Sequence, residues 1–346
     1  MAETSPLSRL LSRLPRAGPA FAFRPPVPSL GVEVSPRRIT VVKVRKRAKG
    51  FRCAGYGTAP LPEGAIETAI LKCNITQPEE VVKALKQALR SGGIRPGRAA
   101  LLLPDLAGRV MLMSVPELPR SRSQAEELIR FRMKRSVPFR PEEIAVSFVR
   151  LSGPAGNGAA HQVLAVMAIR AVIEQHERVL AEAGLRVGLV SLATLDLANL
   201  CRRELARIAS ETASGGRRVD AALLNCEPEY STLAVFRGGG PIFFRCKIHM
   251  EGEDQDPSGR LRVLKRELST SLSYYSEKLE GQLPLPALLC NSDPQAVGIE
   301  QVLADVGLSP AAEIDISRLV GMPAGAGDAL EARLAPALGI TAGRMR

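Results

Sequence analysis

The stretch LGVEVSPRRITVVKVRKRAKGFRCAGYGT, residues 30–58, carries the reading of the fold. Gly31–Val34, Ile39–Arg45 and Phe51–Thr58 read as three strands joined by short polar turns. Pro60 and Pro62 close the run. Gln77-Pro78-Glu79-Glu80 then opens a helix, since proline and acids suit a first turn. Its apolar stripe is Val81, Val82, Leu85 and Leu89, and Gly92-Gly93 stops it. The layout returns at VDAALLNCEPEYSTLAVFRGGGPIFFRCKI, residues 219–248, as three more strands with Gly238-Gly239-Gly240 in the second turn. A long helix follows from about Arg260 to Glu280, with Leu261, Leu264, Leu268, Leu272, Tyr275 and Leu279 on one stripe. Three meandering strands and a helix, twice, predict two related α/β lobes with a ligand cleft between them.

Between the two runs, Ala99–Leu103 reads as a buried strand that Pro104 ends. A block follows of strand (Val110–Val115), helix (Ser121–Arg135), two strands (Ile144–Leu151, Gln162–Ile169) and helix (Ala171–Gly184). Met111 and Met113 alternate on their strand and are expected to face that block's helix. His176 shares a stripe with Val172, Val179 and Ala183 and reads as a packed core residue. Val187–Val190 is a short strand, with a helix from about Leu195 to Ser210. The Gly/Ser/Arg-rich link Thr212–Arg218 is the expected lobe boundary, and Ala287–Cys290 and Ile299–Val306 supply a last strand and helix. Residues 1–28 hold six prolines and read as a tail. Leu7, Leu10, Leu11 and Leu14 there have helical spacing, with Arg9, Arg13 and Arg16 between them. So short a helix is marginal alone, so disorder until bound to a membrane or partner is expected.

The chain has 346 residues, 45% hydrophobic and 24% charged, a globular composition. No apolar run approaches the ~18–20 residues that span a bilayer, and the broken apolar runs near the N-terminus do not resemble a signal peptide. The six cysteines are Cys53, Cys73, Cys201, Cys226, Cys246 and Cys290. None is at CxxC spacing and histidines are few, so buried thiols in a reducing compartment fit better than zinc. Net charge is +12, and +10 of it falls in the first 52 residues. A basic segment can attract an anionic membrane surface or nucleic acid. The run Arg45-Lys46-Arg47-Ala48-Lys49-Gly50 reads as a hairpin loop whose charges are solvated. Only Phe51 and Tyr56 lie near for base stacking, which favours the membrane surface over nucleic acid.

Six segments, in order over most of the chain, resemble the PilM family of type IV pilus assembly proteins. They are Pro60-Leu61-Pro62-Glu63-Gly64; Val115-Pro116-Glu117-Leu118-Pro119 leading to Val137-Pro138-Phe139; Glu142-Glu143-Ile144; Ala183-Gly184-Leu185; Ser269–Tyr275; and Ala337-Leu338-Gly339-Ile340. The resemblance implies an α/β, actin-like two-lobed fold, a duplicated mixed sheet plus helices with an inserted α/β subdomain. The expected organisation is a tail at 1–28 and a first lobe at 29–211 with the insert at 107–187. The second lobe is 212–346, its C-terminal segment packing back on the first. It further implies a groove at the insert for the cytoplasmic tail of a PilN-like bitopic inner-membrane protein, contacts with other pilus assembly proteins, and ATP with Mg2+ between the lobes.

Such proteins cradle phosphates in glycine-containing turns, which allow close backbone approach and aim amides at oxygens. The family's first Asp-Ile-Gly matches Glu33-Val34-Ser35, followed by Pro36-Arg37-Arg38. The second matches Asn225-Cys226-Glu227, followed by Pro228-Glu229-Tyr230 and Ser231. The adenine-side Gly-Gly-Gly matches Asn291-Ser292-Asp293, followed by Pro294. The resemblance thus marks Glu33, Ser35, Arg37, Asn225, Glu227, Ser231, Asn291 and Ser292 as altered ATP-site positions. Proline lacks the N–H a phosphate would use, and carboxylates repel it. ATP and Mg2+ are expected only if these departures are compensated, as by Arg37 or Arg38 binding phosphate. No catalytic set and no metal-ligand set is assigned. The expected function is a cytoplasmic scaffold peripheral to the inner membrane, with nucleotide binding weak or lost. Set against it are an active ATPase of a pilus or type II secretion apparatus and a nucleic-acid-binding protein using the basic arm. Homo-oligomerisation stays open.

Overall fold

β1 (Leu30–Val34) is buried along its whole length, as a strand is at the centre of a sheet covered on both faces. On one side it pairs antiparallel with β2 (Arg38–Lys46), which pairs antiparallel with β3 (Phe51–Pro60). On its other side it pairs parallel with β4 (Arg98–Leu103), and β4 pairs parallel with β8 (Arg186–Leu192). The order is β3-β2-β1-β4-β8. The computed structural model describes residues 27–48, 50–69, 74–134, 140–151, 160–212, 220–249, 256–323 and 327–345, without the side chains of 328–329. The expected helix near Leu7–Leu14, Cys73, the stretch Val137-Pro138-Phe139 and most of the expected link at 212–218 lie outside them.

The second sheet repeats the first. β9 (Ala221–Cys226) pairs antiparallel with β10 (Tyr230–Arg237), and β10 with β11 (Gly240–Ile248). β12 (Ala287–Asn291) and β13 (Ala311–Glu313) add in parallel on the other side. The order β11-β10-β9-β12-β13 reproduces the first sheet strand for strand, the duplication of an actin-like α/β fold. The described residues divide into two compact units. One runs to Asn199 and also takes residues from Pro336 onward; the other is Leu200–Ala335.

In the first unit α1 (Pro78–Ser91) starts with proline and two glutamates and buries Val81, Val82, Leu85 and Leu89 against β2 and β3. A three-stranded sheet of order β5-β7-β6 is inserted between β4 and β8, from β5 (Arg109–Val115), β6 (Ile144–Arg150) and β7 (His161–Ile169). α2 (Arg122–Lys134) closes one face through Ile129 and Met133, and Met111 and Met113 pack against that core. α3 (Arg170–Glu182) packs instead on α1 and β8. Gln175 of α3 accepts from the amides of Asn74 and Ile75, tying α3 to the segment before α1. In the second unit α5 (Pro257–Lys278) packs Leu264, Leu268, Leu272 and Tyr275 on the sheet, and α6 (Ile299–Asp305) adds Ile299 and Leu303 to the same core.

The C-terminal segment completes the first unit. α8 (Asp328–Leu338) runs into a π-helical turn at Gly339–Gly343. Ala337 sits so close to β1 that a Cβ on Gly31 would lie 2.6 Å from its carbonyl oxygen, so only glycine fits there. Arg344 ends the segment buried, donating to both Asp196 carboxylate oxygens and, at 2.8 Å, to Ser191 Oγ. Asp196 lies in the first turn of α4 (Ala193–Thr212), where the helix dipole also favours an anion. Removing one partner of such a buried pair typically costs about 3–5 kcal/mol, because the other charge is stranded.

His176 is packed in the core as its stripe indicated. Nδ1 lies 2.8 Å from the Val172 carbonyl, as donor, and Nε2 meets no partner among the described residues. Burial pushes its pKa down from 6.5 to about 4. The unfolded chain therefore takes up a proton between about pH 6.5 and 4 that the folded protein refuses, so stability falls as pH drops through that window. Urea unfolding across it should show His176→Leu flattening the decline, by at most about 1.4 kcal/mol per pH unit. An unchanged slope would remove His176 as its source.

Candidate functional site

The eight altered positions fall at the same end of each sheet, six around the turn from the central strand into its hairpin and Asn291 and Ser292 at the end of β12 beside it. In the first unit β1 ends at Val34 and the chain turns through Ser35-Pro36-Arg37. Ser35 donates to the Arg38 carbonyl from its amide at 3.1 Å and its hydroxyl at 3.0 Å. The Arg37 carbonyl accepts from the Leu61 amide at 2.8 Å, and the Arg37 residue is exposed. Glu33 is buried in register with Thr40 and Leu102. At the carboxyl ends of β4 and β8 stand two more buried carboxylates. Asp105 accepts from the amide and hydroxyl of Thr194, and Asp196 from Arg344.

In the second unit β9 ends at Cys226 and turns through Glu227-Pro228-Glu229. The Glu227 amide donates to the Tyr230 carbonyl at 2.9 Å. Beside it β12 ends at Asn291, in register with Cys226. The Ser292 amide donates to the Cys226 carbonyl at 2.9 Å, and its hydroxyl donates to Glu227 Oε2 at 2.6 Å. Asn225, Glu227, Ser231 and Ser292 are all buried, with Asn291 partly so. Arg260, in the opening turn of α5, crosses to Asp293 Oδ2 at 2.7 Å and also donates to the Pro228 carbonyl. The structure thus gathers Asn225, Glu227, Ser231, Asn291 and Ser292 at one end of the second sheet, and Glu33, Ser35 and Arg37 at the corresponding end of the first.

These residues do not fit a magnesium triphosphate. Each turn carries a proline without an N–H (Pro36, Pro228, Pro294). The amides of Ser35, Glu227 and Ser292 donate to carbonyls of the protein itself. Glu227 adds a buried carboxylate beside the Ser292 hydroxyl, a charge that repels phosphate. Repulsion between like charges at 4 Å is about 1 kcal/mol in water and about 4 kcal/mol near a protein surface. Among the described residues no cluster of three or more His, Cys, Asp or Glu side chains could hold a metal.

A cavity of about 470 Å³ opens within the second unit beside this network. It is bordered by the end of β12, the segment after β13 and α8. Its size suits a small ligand, but Asp293, Glu313, Asp315 and Glu331 face it against the single cation Arg333, a lining unfavourable to phosphate. The sequence reading missed Arg260, Asp293, Asp196 and Arg344 as the groups that close these strand ends. One signal was available for Arg260: a cation in the opening turn of a helix runs against the helix dipole and so needs an anion elsewhere.

A family model described as type IV pilus assembly protein PilM matches residues 31–253. The solved PilM-PilN type IV pilus biogenesis complex matches with a TM-score of 0.74 at 19% identity, covering 92% of this chain and 98% of that one, which shows a common fold. Two further structures are more distant. One is a Bacteroides thetaiotaomicron protein with actin-like ATPase fold (TM-score 0.45, 9% identity, 82% and 90% covered). The other is the cytoplasmic domain of Epsl, an inner-membrane component of the Vibrio cholerae type II secretion system (0.43, 12%, 88% and 93%).

The buried Arg260–Asp293 pair should be a main fastening of the second unit's strand ends. Arg260→Ala is expected to lower unfolding free energy by about 3–5 kcal/mol, with Arg260→Leu/Asp293→Leu losing much less. Urea titration of the three chains decides it; equal losses in the single and double variants would refute the pairing.

Proposed function

The chain belongs to the PilM family of type IV pilus assembly proteins, and from that membership we propose that it is a scaffold of a pilus assembly complex. It docks the cytoplasmic tail of a PilN-like inner-membrane protein and binds nucleotide weakly or not at all. The observation that carries the second half is the self-bonded state of the turns, with Ser292, Glu227, Arg260 and Asp293 knitted together at the strand ends. The shared fold with the PilM of a solved PilM-PilN complex supports the first half. No described helix is long and apolar enough to cross a membrane; docking of the tail would bring the chain to the inner membrane.

The inserted sheet offers the dock. β5 is one of its two outer strands, and Val110, Met111, Leu112 and Met113 along it are only half-buried, whereas the other outer strand, β6, is mostly buried. Phe131 on α2, in the same module, is 63% exposed. An extended tail peptide can add to such an edge through main-chain hydrogen bonds while apolar side chains choose it.

Two measurements test the two halves separately. Calorimetric titration with Mg·ATP should give a Kd weaker than about 1 mM; micromolar binding abolished by Asn225 or Glu33 substitutions would refute the nucleotide half. A synthetic peptide of the cytoplasmic tail of a PilN-like protein from the same organism should bind. Leu112→Glu and Phe131→Ala should each weaken it by about tenfold or more, with melting temperature unchanged. No binding by the unaltered chain refutes docking, and unaltered affinity in both variants refutes this site.

A further inference from the structure

The end of the first sheet opposite the altered turns carries a row of cations that the docking reading does not use. Arg45 of β2 stands directly opposite Arg52 of β3. Arg98, opening β4, stands directly beside Arg186, opening β8. Both pairs lie at the same end, because Leu30 at the start of β1 is in register with Lys43 on one side and Ala99 on the other. Lys46 and Arg47 extend the hairpin tip, and all six residues are exposed. With neighbouring strands ~4.8 Å apart, the row crosses the five-stranded sheet over roughly 20 Å. Among the described residues, none of the six side chains makes an ion pair or hydrogen bond. Glu182 ends α3 close by in the chain and pairs with none of them.

Like charges directly opposed across a sheet work against folding. One such pair can be a solvated hairpin tip. A second pair on the far side of the same sheet, at the same end, is not explained that way. Protection of an edge strand would spread charge along it, whereas Ala54, Thr58 and Pro60, the exposed positions further along β3, carry no charge. We propose that this end of the first sheet is a contact surface for an anionic lipid bilayer, whose headgroups supply the counter-charge the fold omits. Cations gathered across one end of a sheet suit an extended anionic surface. Surfaces that bind single-stranded nucleic acid interleave aromatic rings, and at this end Phe51 is buried. The contact uses neither the β5 edge nor the turns, so it stands independently of partner docking.

The test is co-sedimentation of the full chain with vesicles of phosphatidylcholine, with and without phosphatidylglycerol, at low and physiological salt. Binding should require the anionic lipid and weaken with salt. At about fivefold per charge, Arg45→Gln/Arg52→Gln and Arg98→Gln/Arg186→Gln should each lower partitioning by about twentyfold. Both variants should melt at or above the temperature of the unaltered chain, since each removes a repulsion. Arg202→Gln/Arg203→Gln, which removes the same charge from α4, should bind as before. Equal binding to neutral vesicles, no effect of either row variant, an equal loss in the α4 variant, or displacement of the vesicles by duplex DNA would each overturn the assignment. The vesicles contain no protein, so failure here leaves tail docking standing.

Discussion

Each sheet is organised by a central strand that must satisfy two kinds of neighbour at once. β1 takes an antiparallel hairpin on one side and a parallel crossover strand on the other, and β9 does the same. Parallel pairing needs the chain to return to the starting end before each new strand. All the carboxyl ends of β1, β4 and β8 therefore collect at one end of the sheet, and all their beginnings at the other. The hairpin turn after β1 lands with the carboxyl ends and the tip of the β2–β3 hairpin with the beginnings. The two ends differ in chemistry: buried carboxylates with the exposed Arg37 at one, a row of six exposed cations at the other.

At the carboxyl ends the carboxylates are held by groups from the protein. Asp105 has Thr194, Asp196 has Arg344, Asp293 has Arg260 and Glu227 has Ser292. In open α/β sheets this is where ligands bind, and here internal bonds cross that end, beside the cavity at the end of β12. Buried pairs of this kind contribute little net stability relative to apolar replacements. Their effect is to hold the C-terminal segment against β1 and the β12 loop against the β9–β10 turn in one arrangement. Gly31 and Gly339 have the same effect by steric means, since each leaves room for backbone that a methyl group would displace.

Most of the fold was legible because local signals agreed with tertiary demand. The strand-and-turn runs in 30–58 and 219–248, the proline and glutamates at the start of α1, and the leucine stripe of α5 each name their element, and the observed boundaries differ by a few residues. β13 was not legible, being three exposed residues, Ala-Ala-Glu, that become a strand only because β12 offers an edge. Nor was α8, whose pattern is interrupted by Pro336. The altered turns could be located by alignment of motif to sequence, but the groups that close them could not. Arg260 and Asp293 are 33 residues apart, and Arg344 and Asp196 are 148 apart. Pairings over such separations carry no periodicity, and only the packed chain reveals them.

The length of β4 sets a distance between the two ends of the first sheet. Its six residues at ~3.3 Å each make a span of roughly 20 Å. A charged surface in physiological salt is felt over a Debye length of about 8 Å. A sheet standing upright on its arginines would therefore lift Glu33, Asp105 and Asp196 clear of the interfacial potential. Changes in headgroup composition would alter how firmly the unit is seated while leaving the hydrogen bonds of that far rim untouched.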